Sequence, residues 1–583
     1  MSQLFIWQYS GIPKMDAEKK FSSVLQKQCD LYHSGFGRTF EYKYAEIDRI
    51  LVGIILYDQG INGWNAWTVS ENTGIAWIGV CEDYLGYTFN DEETIKIWKT
   101  VDKYPGNISE WNGHFAFCVW HKHEKKVYLV TAAAQPATLW LKKGVKDAAI
   151  GSRINPLLEL TDKSKYFDYQ QASSFFSFGY LFGTGTFYQG VSRVPGMTKI
   201  SFLKNSNIVS EKYISIPQFL NKNSPQHKSY KDVLRECAYT LSARVEKQIT
   251  YSSNPVLTLT GGRDSRALAA AVYKGSRSCR LFTSGGADSG EVIIARQVAE
   301  KLGMSHTFSG ITNNPNLRLK NLYAKYDKAL LWTKIHEGIE TIRHSVSFRN
   351  FYFNRSPFPE YPEQVIHGLG GELFRGYYYK FGNDMDEIKN TFQKKIPKEL
   401  FYYDNTVQLL TQSMNDITES ITDLNSTIEN WLDILYWQRR VLHWGQDMLS
   451  VKDLIQWLWT PFIDKYLIRS GFIIPTEVKK NIFSHALTTH NAPSLADVPY
   501  LDAIRIRNTG KDTIGAKIGN KMNIVYQKYT NRKKWSYLFS IDSVVWKDLV
   551  NDNFIKTITN KRSDSEYLWN LFTVELFGRA NLK

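Results

Sequence analysis

Thr260-Gly261-Gly262-Arg263-Asp264-Ser265 is the segment whose residue types and spacing are best suited to chemistry. An apolar run, Leu257 to Leu259, leads into it, two glycines permit a tight turn with close backbone approach, and a helical pattern leaves with Ser265 in its first turn. N–H groups exposed at such a turn, with the positive end of the helix dipole, make an anion site. Asp264 would be odd in a plain phosphate cradle. It makes sense if a divalent cation bridges the carboxylate and the phosphates. Neither GxxxxGK followed by Ser or Thr nor GxGxxG occurs after this strand, so the two common nucleotide loops are excluded. The plainer alternative is an ordinary strand-to-helix turn with an Asp or Ser cap.

The elements that must position this turn follow from the hydrophobic pattern. Upstream, KDVLRECAYTLSARVEKQI has helical period and NPVLTLTGG is an extended apolar run. Downstream, RDSRALAAAVYK places Leu268, Ala271 and Val272 on one helical face, RLFTSGG reads as a strand, and DSGEVIIARQVAEKLG is again helical. That alternation is expected of a parallel, doubly wound α/β sheet. The first two hundred residues have another texture: RILVGIILYD, GIAWIGVCED, GHFAFCVWHK and KKVYLVTAAA are short β-branched or aromatic runs, suggesting two stacked antiparallel sheets with helices inserted. Residues 204–230 are polar with two prolines and read as an interdomain linker. The rest of the chain is mostly helical in period, and its final segment keeps Leu568, Leu571, Phe572 and Leu576 together.

A length of 583 residues suggests two large domains or three smaller ones, and 43% hydrophobic with 22% charged residues excludes wholesale disorder. The longest uninterrupted apolar run, Ile50 to Tyr57, is too short for a membrane helix, and the N-terminus lacks a basic segment followed by an apolar one, so a soluble cytosolic protein is expected. Five scattered cysteines with no CxxC argue against disulfides and structural zinc. A net charge of +15 favours acidic or polyanionic partners, or is merely a solubilising surface. Aromatic residues, 14% of the chain, should be mostly core, with a minority free to line a groove for a bulky ligand.

Thr260 to Ser265 resembles the SGGxDS pyrophosphate loop of the N-type ATP pyrophosphatases, with Thr for the first Ser. More narrowly, it resembles the synthetase domain of glutamine-dependent asparagine synthetase, β-lactam synthetase and the lasso-peptide cyclases. Four further segments match in order: Phe187 to Gly196, like the family's junction between domains; Glu291 to Ala299; Gly368-Leu369-Gly370-Gly371-Glu372-Leu373-Phe374-Arg375-Gly376-Tyr377-Tyr378, where the family has GxGSDExFGGY; and Pro461-Phe462-Ile463-Asp464, like PFLD. Together they span roughly residues 110–470. The resemblance implies an α/β chain: an N-terminal Ntn-hydrolase-like antiparallel β-sandwich with helices over 1–210, a linker over 211–229, and over 230–583 a doubly wound parallel-sheet ATP-pyrophosphatase domain with helical additions. It implies that ATP and Mg²⁺ activate a carboxylate as its acyl-adenylate, releasing pyrophosphate, and that an amine then displaces AMP. On this reading Thr260, Gly261, Gly262, Arg263, Asp264 and Ser265 hold pyrophosphate, Asp264 and Glu372 hold Mg²⁺, and Gly368, Gly370 and Gly371 wall the nucleotide.

Departures from the family narrow the expectation. Position 2 is Ser2, no cysteine precedes Cys29, the glutamine-binding segments are missing, and Thr131 to Pro136 lacks the usual Asp and Gly. Glutaminase activity is therefore not expected, and the N-terminal domain is read as a scaffold. Leu369 stands where β-lactam synthetase has Tyr, and Trp457 where a Glu is common, so the Tyr–Glu dyad for deprotonating the amine is absent at the matching positions. The family's late charge-stabilising lysine would be Lys511, with Lys517 second; Arg266 is counted with them as catalytic, and Arg263 with it could pair with phosphate or a substrate carboxylate. His367 reads as structural. Trp437, Arg439, Arg440, Trp444 and Asp447 form an aromatic-basic helix face that could contact a peptide but is read as packing. The lost glutaminase cysteine, TGGRDSR, GxGGExxRGYYY and the LADVPY segment (Leu495 to Tyr500) resemble the lasso-peptide macrolactam synthetases most. That branch implies a precursor core peptide as substrate, with a leader-binding protein and a leader peptidase as possible partners, no membrane and no nucleic acid. An amide ligase on a small metabolite, an RNA-modifying PP-loop protein and a binding scaffold that has lost catalysis are the alternatives.

Overall fold

The computed structural model describes residues 2–57, 64–87, 89–161, 166–203, 207–275, 278–309, 326–337, 339, 364–422, 424, 427–452, 457–501, 545–550, 554 and 566–582. The N-terminal part stacks two sheets. In one, Ser2–Gln8 pairs antiparallel with both Ile50–Tyr57 and Ala148–Gly151. In the other, Gly113–His121 lies between Thr73–Cys81 and Lys126–Thr131, again antiparallel. Alternation along each strand fills two layers: Leu4, Ile6, Val52 and Ile54 meet Ala76, Ile78, Ala116 and Cys118 between the sheets. Phe5, Trp7, Leu51 and Ile55 point outward against Phe21 and Leu25 of the helix Lys14–Phe36. On the far side Trp77, Phe117 and Val119 meet Ile97, Trp98 and Val101 of the helix Asp91–Lys103. Both faces of each sheet are covered, which is why ILVGIILY is continuously apolar instead of alternating.

The C-terminal part holds a parallel sheet in the order His306–Phe308, Arg280–Thr283, Pro255–Thr258, Gln364–Ile366, Trp457–Trp459. The chain starts in the middle strand, winds outward one way, then returns to wind the other way. The winding therefore reverses between Pro255–Thr258 and Gln364–Ile366, and the crevice beyond the carboxyl ends of these two strands is where open parallel sheets take ligands. The expected α/β chain, with antiparallel layers followed by a parallel sheet, is observed. The long helices Tyr230–Ile249 and Arg263–Lys274 pack together, and Phe483–Asn491 packs on both.

The stretch read as a linker carries structure. Ile208–Lys212 pairs with Thr198–Phe202, and Ile216–Asn221 is a helix with a Ser215/Gln218 capping box and buried Phe219 and Leu220. Its polar texture reflects a surface path. The helix Glu566–Asn581 is enclosed and buries polar Asn570, Thr573 and Glu575 along with its apolar residues: Phe577 meets Phe167, Phe187 and Tyr188, and Asn570 donates to the Phe176 carbonyl. All five cysteines are buried and unpaired. No helix among the described residues is long and apolar enough to cross a membrane.

Candidate functional site

Two turns leave the carboxyl ends of the adjacent strands Pro255–Thr258 and Gln364–Ile366, and they touch. The first is Thr260 to Ser265. The Ser265 hydroxyl accepts from the Thr260 N–H at 3.0 Å and lies 3.0 Å from the Thr260 hydroxyl, which itself accepts from the Gly262 N–H at 3.1 Å. These bonds curl the turn back on itself. Gly262 caps the helix Arg263–Lys274 without any side-chain hydrogen bond, so the dipole's positive end is left to the crevice. The Gly261 N–H is held by the carboxylate of Glu291, from the first turn of the helix Gly290–Leu302, and an incoming phosphate oxygen would have to share or displace it.

The second turn is Gly368 to Gly376. Gly370 has φ 91°, which favours glycine, and a β-carbon there would also collide with Ile463 at 2.1 Å. Gly371 lies flat on the first turn, because a β-carbon would sit 2.4 Å from Asp264 Cγ. The sequence thus uses glycine to press backbone against the Asp264 side chain.

This close approach creates the site's electrostatics. The Asp264 side chain is 12% exposed; Oδ2 accepts from Arg375 at 2.7 Å, and Oδ1 is buried with no partner. Burial holds the Asp264 carboxyl well above the usual carboxylate range; the Arg375 guanidinium opposes this and the nearby Glu372 carboxylate adds to it. Glu372 lies 3.9 Å from Arg375 and accepts from the Tyr436 hydroxyl at 2.9 Å. Two carboxylates, one with an orphaned buried oxygen, fit a cation that also takes oxygens from a ligand, as Mg²⁺ does with phosphates. Among the described residues no group of three or more His, Cys, Asp or Glu could hold a metal by protein side chains alone.

Arg266 is engaged elsewhere. It is fully buried, donates to the carbonyls of Val498 at 2.6 Å and Pro499 at 2.7 Å, and stacks 4.0 Å from the Tyr500 ring centre. Its guanidinium clamps the Leu495–Tyr500 segment to the phosphate-type turn, and Leu501 N–H bonds the Gly261 carbonyl beside it. In this arrangement the side chain named as catalytic spends Nη1 and Nη2 on backbone carbonyls, while its Nε is buried without a partner. Arg263 is freer, reaching the Lys480 carbonyl at 3.4 Å and lying 5.1 Å from the Tyr500 ring. Lys511 and Lys517 lie outside the described residues.

Leu369 turns into an apolar cluster with Val365, Met448, Leu449 and Leu458, and Trp457 is buried in its strand, so neither position can serve as an acid or base. His367 accepts from the Leu369 N–H through Nδ1 at 3.1 Å and so shapes the second turn. Ser2 donates its hydroxyl to the Trp77 carbonyl at 2.9 Å. Arg375 and Tyr436 are site residues that sequence reasoning missed. Arg375 was visible only as one letter of a matched motif, and Tyr436 carried no local signal, being brought in by the π-helix Tyr436–Gly445. The preceding helix, Ile428–Leu435, is pinned by buried Asp433, which accepts from Tyr379 at 2.7 Å and Lys479 at 2.6 Å.

No family model matches the chain, and no curated protein matches it. Among solved structures, glutamine phosphoribosylpyrophosphate (PRPP) amidotransferase from B. subtilis, complexed with ADP and GMP, is similar at 9% identity and a TM-score of 0.25, over 53% of this chain and 90% of that one. A structure of the allosteric regulatory enzyme of purine biosynthesis is similar at 10% identity and a TM-score of 0.24, over 53% of this chain and 65% of that one. NMN synthetase from Francisella tularensis is similar at 16% identity and a TM-score of 0.18, over 37% of this chain and 94% of that one. At such scores the likenesses carry no argument about activity.

Proposed function

We propose that this chain is an ATP-dependent ligase that joins a carboxylate to an amine, most specifically a macrolactam synthetase acting on a peptide. The observation that carries the reading is the contact between the two glycine turns, which presses Gly371 onto Asp264 and leaves a buried, unpartnered carboxylate oxygen beside Glu372 at the sheet's reversal point. Two segments that resemble the lasso-peptide cyclases support the finer reading, because TGGRDSR and Leu495 to Tyr500 are joined through Arg266 into one device.

The chemistry has two steps. A substrate carboxylate oxygen bonds to the α-phosphorus of ATP and pyrophosphate leaves. The amine nitrogen then bonds to the acyl carbon, AMP leaves with the bonding pair, and the amine loses a proton. A carboxylate is a poor electrophile, and AMP is a far better leaving group than hydroxide. The Thr260–Ser265 turn would hold the pyrophosphate portion through its N–H groups and the helix dipole. Asp264 and Glu372 would hold Mg²⁺, which when bound neutralises charge on the departing pyrophosphate. Arg375, already on Asp264, balances the carboxylates in the free protein.

The test is ATP–pyrophosphate exchange with Mg²⁺, using linear peptides with a free N-terminus and an internal Asp or Glu, alongside free aspartate. Exchange with peptide, abolished in Asp264→Ala, supports peptide adenylation, and loss of water by mass spectrometry then tests ring closure. Exchange with aspartate alone would move the substrate to a small metabolite. No exchange with any carboxylate, despite ATP binding, would overturn the ligase reading.

A further inference from the structure

We infer that Arg440, displayed on the π-helix Tyr436–Gly445 between Trp444 and Tyr180, is the binding residue for a carboxylate carried by the substrate. The aromatic-basic face read from the sequence as packing divides in two. Trp437 donates to the Ala134 carbonyl, Arg439 is bonded to Ser413, and Asp447 is paired with Arg193 at 2.6 Å, so these three are absorbed by the interior. Arg440 is not absorbed. Its guanidinium lies 3.8 Å from the Trp444 ring centre and 5.5 Å from that of Tyr180, half-buried, with no carboxylate at ion-pair distance among the described residues. A guanidinium stacked on a ring keeps its in-plane N–H donors pointing outward, which suits a planar carboxylate.

Its position relates it to the site. Tyr436 and Arg440 share the π-helix, whose wide turn brings residues four and eight apart onto one face, as Tyr436, Arg440 and Trp444 are. Tyr436 bonds Glu372. Tyr378 packs edge-on to Tyr436 with ring centres 5.3 Å apart, and Tyr377 at 5.4 Å. Arg440 thus stands one helical turn from the Tyr436 that bonds Glu372, a half-buried guanidinium stacked on Trp444 with no carboxylate partner among the described residues. It matches a substrate that is both anionic and bulky, such as an acidic peptide. The inference deepens the ligase reading and rests on it for the word substrate; the binding itself is read without catalysis.

Isothermal titration calorimetry without ATP tests it. The probes are a short linear peptide, amidated at its C-terminus so that one Glu is its sole carboxylate, the same peptide with Gln, and N-acetylglutamate amide. Wild type should prefer the Glu peptide about ten- to a hundredfold, the worth of a charge-assisted hydrogen-bond pair, and Arg440→Gln should erase the preference. Arg440→Lys should restore part of it, keeping charge but losing the planar fork. In the exchange assay Arg440→Gln should raise KM for the carboxylate and leave KM for ATP unchanged. Equal binding of the Glu and Gln peptides by wild type overturns the inference without recourse to a variant, as does a preference that survives Arg440→Gln. N-acetylglutamate amide binding as tightly as the peptide would support the carboxylate site and assign it to a small molecule. Intact binding preference with no exchange would sink the ligase reading alone; exchange with no preference would sink this one alone.

Discussion

At the scale of single residues, Asp264 carries the most. Its carboxyl is raised by burial and by Glu372, while Arg375, and more weakly Arg263, work the other way. A cation can bind only the ionised form, so binding must expel a proton. The expected outcome is that Mn²⁺ affinity of the nucleotide-free protein, followed by electron paramagnetic resonance, rises between about pH 6 and pH 8. In Asp264→Asn the affinity should be weak and flat with pH. A wild-type affinity independent of pH would mean that Asp264 is not a ligand. The same substitution should reduce pyrophosphate exchange by more than about a hundredfold, the scale of a damaged metal site. It should not lower the thermal midpoint at neutral pH, since Asn keeps an oxygen acceptor for Arg375 and matches the uncharged form that burial favours. A large drop in midpoint would make Asp264 structural.

At the scale of elements, the two turns make a prediction that a generic flexible loop would not. A β-carbon at Gly371 would lie 2.4 Å from Asp264 Cγ, whereas at Gly368 the nearest atoms are 3.4 Å away, an ordinary contact. Gly371→Ala should therefore push Asp264 aside, costing about 1–3 kcal/mol of stability and most of the exchange activity. Gly368→Ala should cost much less of both. Equal effects in thermal melts and exchange assays would deny that the turns interlock. This contrast also marks what the sequence makes legible. Paired glycines after an apolar run announce a turn, and the strand–helix alternation announces the parallel sheet that brings the turns together, because both signals are local. The Tyr436–Glu372 contact joins residues 64 positions apart through a π-helix, whose extra residue per turn leaves no mark in a 3.6-residue pattern. The Arg266 strut was equally invisible: TGGRDSR cannot tell a guanidinium facing phosphate from one facing backbone carbonyls. The Tyr–Glu dyad is absent at Leu369 and Trp457, yet a different Tyr–Glu pair, Tyr436 and Glu372, stands beside Asp264.

At the scale of the whole molecule, the N-terminal layers are fastened to the parallel sheet by a buried polar network that starts at Glu82. Its carboxylate accepts from Trp459 Nε1 at 3.1 Å and lies 3.5 Å from Arg244, which also holds Asp464 at 3.1 Å. Asp464 caps the helix Lys465–Gly471, whose Arg469 reaches back to Glu110 at 2.9 Å. Asp464, in the segment that matched a family motif, thus anchors Arg244 and the helix whose Arg469 crosses to Glu110. Burial pushes the Glu82 carboxyl up to about 7 from the ordinary 4.5, with Arg244 opposing and Asp464 adding. A folded value above the unfolded one means that the folded state keeps the proton longer. Glu82's stabilising share is thus complete below about pH 4.5 and is lost as pH rises through 7, on the order of 3 kcal/mol at about 1.4 kcal/mol per unit. Glu82→Gln keeps the shape and the acceptor for Trp459 but cannot ionise. Thermal melts at about pH 5, 6, 7 and 8 should show a steeper fall for wild type than for Glu82→Gln, with the variant at least as stable at the alkaline end, where Arg244 still holds Asp464. If the variant instead melts far below wild type at pH 8 with an unchanged slope, the ionised Glu82–Arg244 pair is a net fastener of the two layers, and burial is not what governs this carboxyl.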